Sequence, residues 1–170
     1  LVLDFKSLYP SMMQTFNIDP LNYVEDCKGK DLIIAPNGAC FKNNEGIIGK
    51  IIEKLLIARD KSKKEGNELQ RWAIKILLNS MFGVLANPNC RFFNLNIANA
   101  ITHFGQSLIK LTAKKISEEG YEVIYSDTDS CFVLSKAKNL EEAEKIGKEL
   151  NEKLNDFFKE FVKKEYNRES

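Results

Sequence analysis

The sequence carries almost no net charge. It has 25 Lys and Arg residues against 24 Asp and Glu residues, which leaves a formal net charge of +1 at pH 7. Proteins that grip nucleic acid through their overall charge carry a clear basic excess, because contacts with phosphates supply much of that affinity. Any contact between this chain and a nucleic acid is therefore expected to be local, or to come from other polypeptide regions.

Histidine and paired cysteines are also scarce. The one histidine is His103, and the four cysteines, Cys27, Cys40, Cys90 and Cys131, are scattered singly. No Cys-x-x-Cys pair is present, so the pattern indicates neither a zinc site nor a disulfide framework. We expect the cysteines to be small core residues.

Long apolar runs are missing as well. No run approaches the roughly 20 residues that a membrane-spanning helix needs, and the first residues lack the basic flank and long apolar stretch of a signal peptide. These absences favour a soluble, intracellular protein. Because Leu1 already lies inside an apolar, strand-like run, we expect the chain to be part of a longer polypeptide.

The spacing of apolar residues predicts a mixture of strands and helices. A short helix should follow Ser7, a possible helix cap, with Pro10 in its first turn. Residues 17–44 are expected to form an irregular connection with a small hairpin near Asn37-Gly38. The remaining predicted strands are 1–5, 122–125 and 131–134, and the remaining predicted helices are 46–66, 67–85, about 97–119, and from about 140 onward.

Three aspartates are the first candidates for chemistry. Asp127 and Asp129 lie in the predicted turn at 126–130, and Asp4 lies at the end of the first strand. Acidic residues in turns usually bond their own backbone, so each position is ambiguous alone. Phosphoryl transfer by two divalent ions, however, needs carboxylates from separate chain segments. With three oxygen ligands and no His or paired Cys beside them, this set favours Mg²⁺ over zinc.

Cationic residues on the two predicted helices form a second candidate group. Arg59 and Lys63 are four residues apart on one helix, and Lys75 and Asn79 are four apart on the next, so each pair shares a helix face. Position 67, at the predicted turn, is midway between 59 and 75. Antiparallel packing should therefore bring Arg59 and Lys75 to the same level, as a cationic pair suited to a triphosphate. The alternative is that they are solvated residues on a charged helix.

Three ordered motifs carry a resemblance to a known family. Asp4-Phe5-x-Ser7-Leu8-Tyr9-Pro10-Ser11, Lys75-x-x-x-Asn79-Ser80-x-Phe82-Gly83 and Tyr125-x-Asp127-Thr128-Asp129-Ser130 resemble the three polymerase motifs of family B DNA polymerases. Leu55-Leu56-x-x-Arg59-x-x-x-Lys63 also looks like the first fingers helix of that family. The resemblance implies an α+β fold, with a palm of antiparallel sheet and helices on one face, and a helical-hairpin fingers insertion. The implied regions are 1–45 for the first part of the palm, 46–86 for the fingers and 87–170 for the second part of the palm, with the thumb, N-terminal and exonuclease domains absent.

The resemblance also implies a role for each residue that matches a motif. Asp4 and Asp129 would bind both of two Mg²⁺ ions, and Asp127 would be a secondary ligand. Tyr9 would lie under the sugar and exclude a ribose 2′-hydroxyl. The implied metal ligands are Asp4, Phe5, Asp127 and Asp129, and the implied nucleotide-binding residues are Ser7 and Leu8 through backbone amides, Tyr9, Arg59, Lys63, Lys75 and Asn79. The implied function is DNA synthesis on primer-template DNA from deoxynucleoside triphosphates, with the remaining polymerase domains or subunits as partners.

Three departures temper the resemblance, and two other interpretations stay open. Phe82 stands where the family commonly has Tyr, Ser126 replaces a common Gly before the aspartates, and the interval from Arg59 to Lys75 is short for the family, so the fingers hairpin should be short. Residues 163–166 look like the Lys-Lys-x-Tyr element of the family but are expected to be a helix end. The chain is either a truncated polymerase or one subunit of a naturally split one. A catalytically inactive scaffold is the other alternative, although a scaffold would have no need of buried acids facing a cationic pair.

Overall fold

A computed structural model describes residues 1–29, 31–44 and 46–168 of the chain. In chain order the elements are β1 (Val2–Asp4), α1 (Leu8–Thr15), β2 (Tyr23–Val24), β3 (Leu32–Ile34), β4 (Cys40–Lys42), α2 (Ile47–Lys64), α3 (Glu68–Ala86), α4 (Leu95–Glu118), β5 (Glu122–Asp127), β6 (Ser130–Leu134) and α5 (Leu140–Tyr166). Within the described residues, no helix is long and apolar enough to cross a membrane.

The chain divides into two compact units. One unit combines Leu1–Lys6 with Gly105–Ser170, and the other is Ser7–Phe104. The predicted regions 1–45, 46–86 and 87–170 stay a prediction, and the positions 45 and 170 at which two of them end lie outside the described residues.

The first unit is built on a three-stranded antiparallel sheet in the order β1-β6-β5. Its core joins Cys131 and Val133 of β6 to Ile116 of α4 and Leu150 of α5, all at most 3% exposed. The outer strands add Leu1, Leu3 and Val123, which are partly buried against this core. Helices therefore cover one face of the sheet, while the opposite face stays exposed and carries both Asp4 and apolar side chains such as Val2 and Phe132.

The helical hairpin of the second unit matches its prediction closely. The Asn67 side chain caps α3 by accepting a hydrogen bond from the Gln70 amide at 3.1 Å. Gly66 takes the left-handed backbone, with φ +70°, that a tight link between α2 and α3 requires. The helix predicted at 97–119 begins two residues earlier, at Leu95, because the Asn94 side chain accepts from the amides of residues 96 and 97.

The connection between α1 and α2 is more ordered than expected. Strands β2, β4 and β3 form a small antiparallel sheet, and the predicted hairpin at Asn37-Gly38 joins β3 to β4. A disulfide links Cys27 to Cys40, with Cα atoms 5.4 Å apart. The expectation that no disulfide forms is therefore wrong, and the expectation of core cysteines is wrong for Cys27, which is exposed, whereas Cys40 is fully buried. Cysteines 13 positions apart become neighbours only through the sheet, which the spacing alone does not reveal.

A buried carboxylate positions the start of α2. Asp19 is 2% exposed, and its Oδ2 accepts a hydrogen bond from the Ile48 amide at 2.7 Å, while its Oδ1 accepts from the Leu21 amide at 2.8 Å. A Cβ on Gly46 would come within 2.9 Å of Asp19 Oδ2, so this position has no room for a side chain. Asp19 thus caps the N-terminus of α2, although it lies far from that helix in the sequence.

Candidate active site

Asp4 and Asp127 lie in one row across the sheet of the first unit. Asp4 is the direct partner of Ser130 in the ladder between β1 and β6, and Asp127 is the partner of the same Ser130 in the ladder between β5 and β6. Direct partners in antiparallel strands point to the same face, so both acids flank Ser130 on one face. Because the strands that carry Asp4 and Asp127 are separated by β6, the Cα atoms of the two acids are about 10 Å apart.

The next pair along the ladder shows which face this is. Leu3 is the partner of Cys131, which is fully buried in the core of the first unit. Since successive residues alternate between the two faces, the row of Asp4, Ser130 and Asp127 points away from the core. Burial raises the pKa of the Cys131 thiol, which therefore stays protonated behind the acids.

The hairpin between β5 and β6 is tighter than the sequence predicts. The strands extend to Asp127 and Ser130, which leaves only Thr128 and Asp129 in the loop. Thr128 has a left-handed backbone, with φ 33°, and its hydroxyl donates to Asp127 Oδ1 at 3.0 Å. The Phe5 amide donates to the Asp129 carbonyl at 2.8 Å, which ties the loop to the strand that carries Asp4. The ladder fixes the backbone of Asp4 and Asp127, and the hydrogen bond from Phe5 fixes that of Asp129.

The acids are not buried, and that expectation is wrong. Asp4 and Asp127 are exposed and Asp129 is half-buried, because the row faces away from the core. Among the residues that the structure describes, no group of three or more Asp, Glu, His or Cys side chains is arranged to hold a metal ion by itself. Mg²⁺ usually takes one or two protein carboxylates and completes its shell with water and substrate phosphates. Carboxylate oxygens are the donor type that Mg²⁺ prefers, and the assignment of the three aspartates as its ligands stays a prediction.

The second unit places a cation beside the first turn of α1. Ser7 occupies the N-cap position of this helix, as predicted, but its side chain makes no capping hydrogen bond. Its hydroxyl instead accepts a hydrogen bond from Arg59 Nη1 at 2.7 Å. The first amides of a helix point outward and carry a partial positive charge. The amides of Leu8 and Tyr9 thus lie at the N-terminus of α1, directly after Ser7, whose hydroxyl is hydrogen-bonded to the Arg59 guanidinium.

Tyr9 is held by a second aromatic ring. The ring centroids of Tyr9 and Phe82 are 5.0 Å apart with their planes tilted by 53°, which brings α1 and α3 together. Both side chains are half-buried. The residue that departs from the common family pattern therefore packs directly on the predicted sugar-selecting tyrosine.

The other predicted nucleotide ligands lie on the solvent-exposed parts of α2 and α3. Lys63, Lys75 and Asn79 are exposed, and Lys75 Nζ lies 5.1 Å from the centroid of the Trp72 ring. The two helices pack against each other, as the hairpin prediction requires. The level pairing of Lys75 with Arg59 stays a prediction.

Three positions with a role at these sites were not predicted from the sequence. Thr128 and Ser130 contact or flank Asp127, and Asp19 fixes the start of the helix that carries Arg59. Thr128 and Ser130 could have been identified from the sequence, because they are hydroxyl residues inside the acidic motif. Nothing in the sequence indicates the role of Asp19, because its hydrogen-bond partner is a backbone amide far along the chain. The element at 163–166 lies in the last turn of α5, which confirms the prediction of a helix end.

Comparison with known proteins identifies the family of the chain. The model of DNA polymerase family B matches residues 1–168. The chain is 40% identical to DNA polymerase II of Escherichia coli over 169 residues, which is 97% of this chain and 22% of the relative. It is 34% identical to DNA polymerase 2 of Aeropyrum pernix over 82% of this chain and 20% of that protein. It is also 33% identical to the DNA polymerase alpha catalytic subunit of Dictyostelium discoideum, over 93% of this chain and 11% of that protein.

A solved structure gives the same result for the fold. The family B DNA polymerase of the archaeon Pyrobaculum calidifontis superposes with a TM-score of 0.69 and 24% identity, over 99% of this chain and 22% of the other. The chain thus spans about a fifth or less of the length of these relatives. With nearly every residue inside the family match, the chain belongs to DNA polymerase family B.

Proposed function

We propose that this chain carries the catalytic centre of a template-directed DNA polymerase, which adds deoxynucleotides to a primer 3′-hydroxyl by two-metal-ion phosphoryl transfer. One observation carries the proposal: the sheet register puts Asp4 and Asp127 on either side of Ser130 and ties Asp129 to Phe5. Acids from two distant segments are thereby gathered on an open face. Catalysis of phosphoryl transfer consists mainly of positioning and charge stabilisation, which such a rigid scaffold supplies.

In this proposal the acid row is the metal-binding half of the site. Asp4 and Asp129 would hold the two Mg²⁺ ions, with Asp127 as a secondary ligand and Phe5 contributing from the same strand end. When bound, such ions would stabilise the negative charge on the attacking and leaving oxygens. The Thr128 hydroxyl donates a hydrogen bond to the Asp127 carboxylate, which orients this side chain before substrate arrives.

The groups around α1 form the nucleotide-binding half. Arg59 and Lys75 contact the triphosphate, supported by Lys63 and Asn79, and the amides of Ser7 and Leu8 donate to its oxygens. A helix N-terminus and a guanidinium both favour an anion, and here they are linked by a single hydrogen bond. The Tyr9 ring, packed on Phe82, lies under the sugar and leaves no room for a 2′-hydroxyl.

The proposed architecture assigns the sheet of the first unit to the palm and the hairpin of α2 and α3 to the fingers. Primer-template DNA and deoxynucleoside triphosphates are the substrates, and the remaining polymerase domains or subunits are partners. With a net charge of only +1, the chain has few groups in excess to neutralise duplex phosphates. Most of the affinity for DNA therefore comes from those other regions.

Complementation tests this function directly. Single-nucleotide extension of a labelled primer is measured with the chain alone, with the remaining regions of a family B polymerase alone, and with both. We expect extension only from the combination, and expect Asp129→Asn to abolish it. Glu122→Gln, at the far end of β5, is the matched control and should leave extension unchanged. If neither Asp129→Asn nor Glu122→Gln loses extension, the proposed centre is refuted. Strong extension by the chain alone would refute the dependence on other regions.

A further inference from the structure

Ser7 adopts a backbone conformation that serine usually avoids. Its φ and ψ are 55° and 54°, in the left-handed region. This region costs a residue with a Cβ roughly 1 kcal/mol or more, and only Gly, Asn and Asp enter it with ease. A serine before a helix normally takes extended angles and caps the first turn with its hydroxyl. Ser7 has neither the usual angles nor the usual hydrogen bond.

What Ser7 has in their place is the contact with Arg59. The hydroxyl accepts from Nη1 at 2.7 Å, a short, charge-assisted hydrogen bond between residues 52 positions apart. Arg59 is half-buried, so solvent weakens this bond less than it would at an exposed site. A guanidinium has five N–H donors, and one bond to a hydroxyl leaves it able to bind a phosphate as well. A hydroxyl also leaves the charge on Arg59 intact, whereas a carboxylate would neutralise it.

We infer that the Ser7 hydroxyl is a positioning group that holds the Arg59 guanidinium beside the first turn of α1 before a nucleotide binds. The inference rests on the proposed role of Arg59 and adds a function for the Ser7 side chain, distinct from that of its backbone amide. Long arginine side chains lose rotamer entropy when they bind a ligand. Ser7 orders Arg59 in advance, so nucleotide binding no longer bears that cost. The strained backbone of Ser7 is retained because it aims the hydroxyl at α2.

Substitutions at Ser7 separate this role from a need for the backbone shape alone. Ser7→Gly adopts φ 55° without strain but lacks the hydroxyl. Ser7→Asn tolerates the same angles and keeps an oxygen acceptor on its side chain. If only the path of the chain matters, both variants behave like the parent. If Arg59 is positioned by the side chain, Ser7→Gly is impaired and Ser7→Asn is largely restored.

The experiment measures KM and kcat for deoxynucleotide incorporation by the assembled polymerase, with this chain carrying each variant. We expect Ser7→Gly to raise KM by about tenfold, the value of one hydrogen bond to a charged group, with a smaller change in kcat. With Ser7→Asn, KM should lie within about threefold of the parent value. The free-energy loss that remains is then less than half of the loss caused by Ser7→Gly. Lys136→Gly is the control for adding glycine at a left-handed position, since Lys136 has φ 53° in the other unit, and it should leave KM unchanged.

A double-mutant cycle with Arg59→Ala distinguishes the two ways in which the result can fail. We expect Arg59→Ala to raise KM, and expect Ser7→Gly to add nothing in that background, because the hydroxyl has lost its partner. If Ser7→Gly raises KM by the same factor with and without Arg59, the positioning role is refuted while the function of Arg59 stands. If Arg59→Ala itself leaves KM unchanged, the proposed nucleotide site is refuted.

Discussion

The acid row of the first unit and the cations of the second are held in place in different ways. Asp4 and Asp127 stand on short side chains, and backbone ladders fix both with Ser130 between them. Arg59 and Lys75 stand at the ends of long, flexible side chains on helices of 18 and 19 residues. Their positions depend on single side-chain contacts, with Ser7 and with the Trp72 ring respectively. Strand register positions the proposed metal ligands, whereas local side-chain contacts position the proposed nucleotide-binding cations.

This difference predicts how each half responds to substitution. An acid in the ladder is held in place by the backbone, so its removal would take away one of the proposed metal ligands. A cation on a helix acts beside other cations, so its removal is partly compensated.

The largest effect is expected at the acids. In the assembled polymerase, Asp4→Ala or Asp129→Ala should lower single-nucleotide incorporation by several orders of magnitude, because each removes a ligand shared by both proposed metals. Asp127→Ala should reduce the rate less. Single-turnover incorporation at saturating Mg²⁺ measures all three. A near-normal rate for Asp4→Ala or Asp129→Ala would contradict the metal assignment and remove the basis of the contrast.

An intermediate effect is expected at the cations. Arg59→Ala and Lys75→Ala should each lower kcat/KM by about a hundredfold, the usual cost of losing one group that stabilises transition-state charge. The losses should be non-additive in the double variant, since both residues act on one triphosphate. Steady-state kinetics across a range of nucleotide concentrations decides this. A double variant that equals the sum of the two single free-energy changes would show that the residues act independently.

A smaller effect on rate, but a large one on selectivity, is expected at Tyr9. Tyr9→Ala should admit ribonucleotides and leave deoxynucleotide incorporation largely intact, because the proposed discrimination is steric. Tyr9→Phe keeps the ring and should keep the selectivity. Competition between the two nucleotide types on one primer provides the measurement. An unchanged preference in Tyr9→Ala would place the sugar elsewhere.

The sequence predicts elements far better than it predicts their environments. The hairpin of α2 and α3 follows from periodicity and from Gly66, and the strands around Asp127 follow from short apolar runs. The buried face of α3 does not follow, because the helix is apolar on several sides. Ile74 and Leu78 are buried there, whereas Leu69 is 87% exposed. Periodicity near 3.6 residues reports a helix, but an all-round apolar helix has no unique inner face.

The site shows the same limit. The three motifs identify Asp4, Asp127 and Asp129, but their exposure depends on which sheet face meets the core, and that is set by residues such as Cys131. The left-handed backbone of Ser7 is equally invisible, because a serine before a helix predicts a cap. The disulfide was missed since single cysteines in an expected intracellular protein predict free thiols.

That disulfide gives the last prediction, with the smallest expected effect on catalysis. It closes a loop of 13 residues within the second unit, so Cys27→Ser should destabilise the small sheet of β2, β3 and β4 by up to about 3 kcal/mol. Cys27 is the better position to change because it is exposed, whereas replacing the fully buried Cys40 would also disturb the core. Hydrogen exchange should speed up at the Ala35 amide, which bonds the Ala39 carbonyl across the hairpin, and stay unchanged at the Phe5 amide beside Asp129.

Cys90→Ser, at a half-buried free cysteine, is the control and should change neither amide. The logic is that a disulfide acts mainly on the unfolded loop that it closes, and this loop contains none of the proposed catalytic residues. Incorporation rates in the assembled polymerase should therefore be equal with and without a reducing agent. Faster exchange at Phe5 together with slower incorporation would mean that the small sheet and the acid row unfold as one cooperative unit. In that case the two halves of the proposed site could not be perturbed separately, and the contrast between register and local contact would fail.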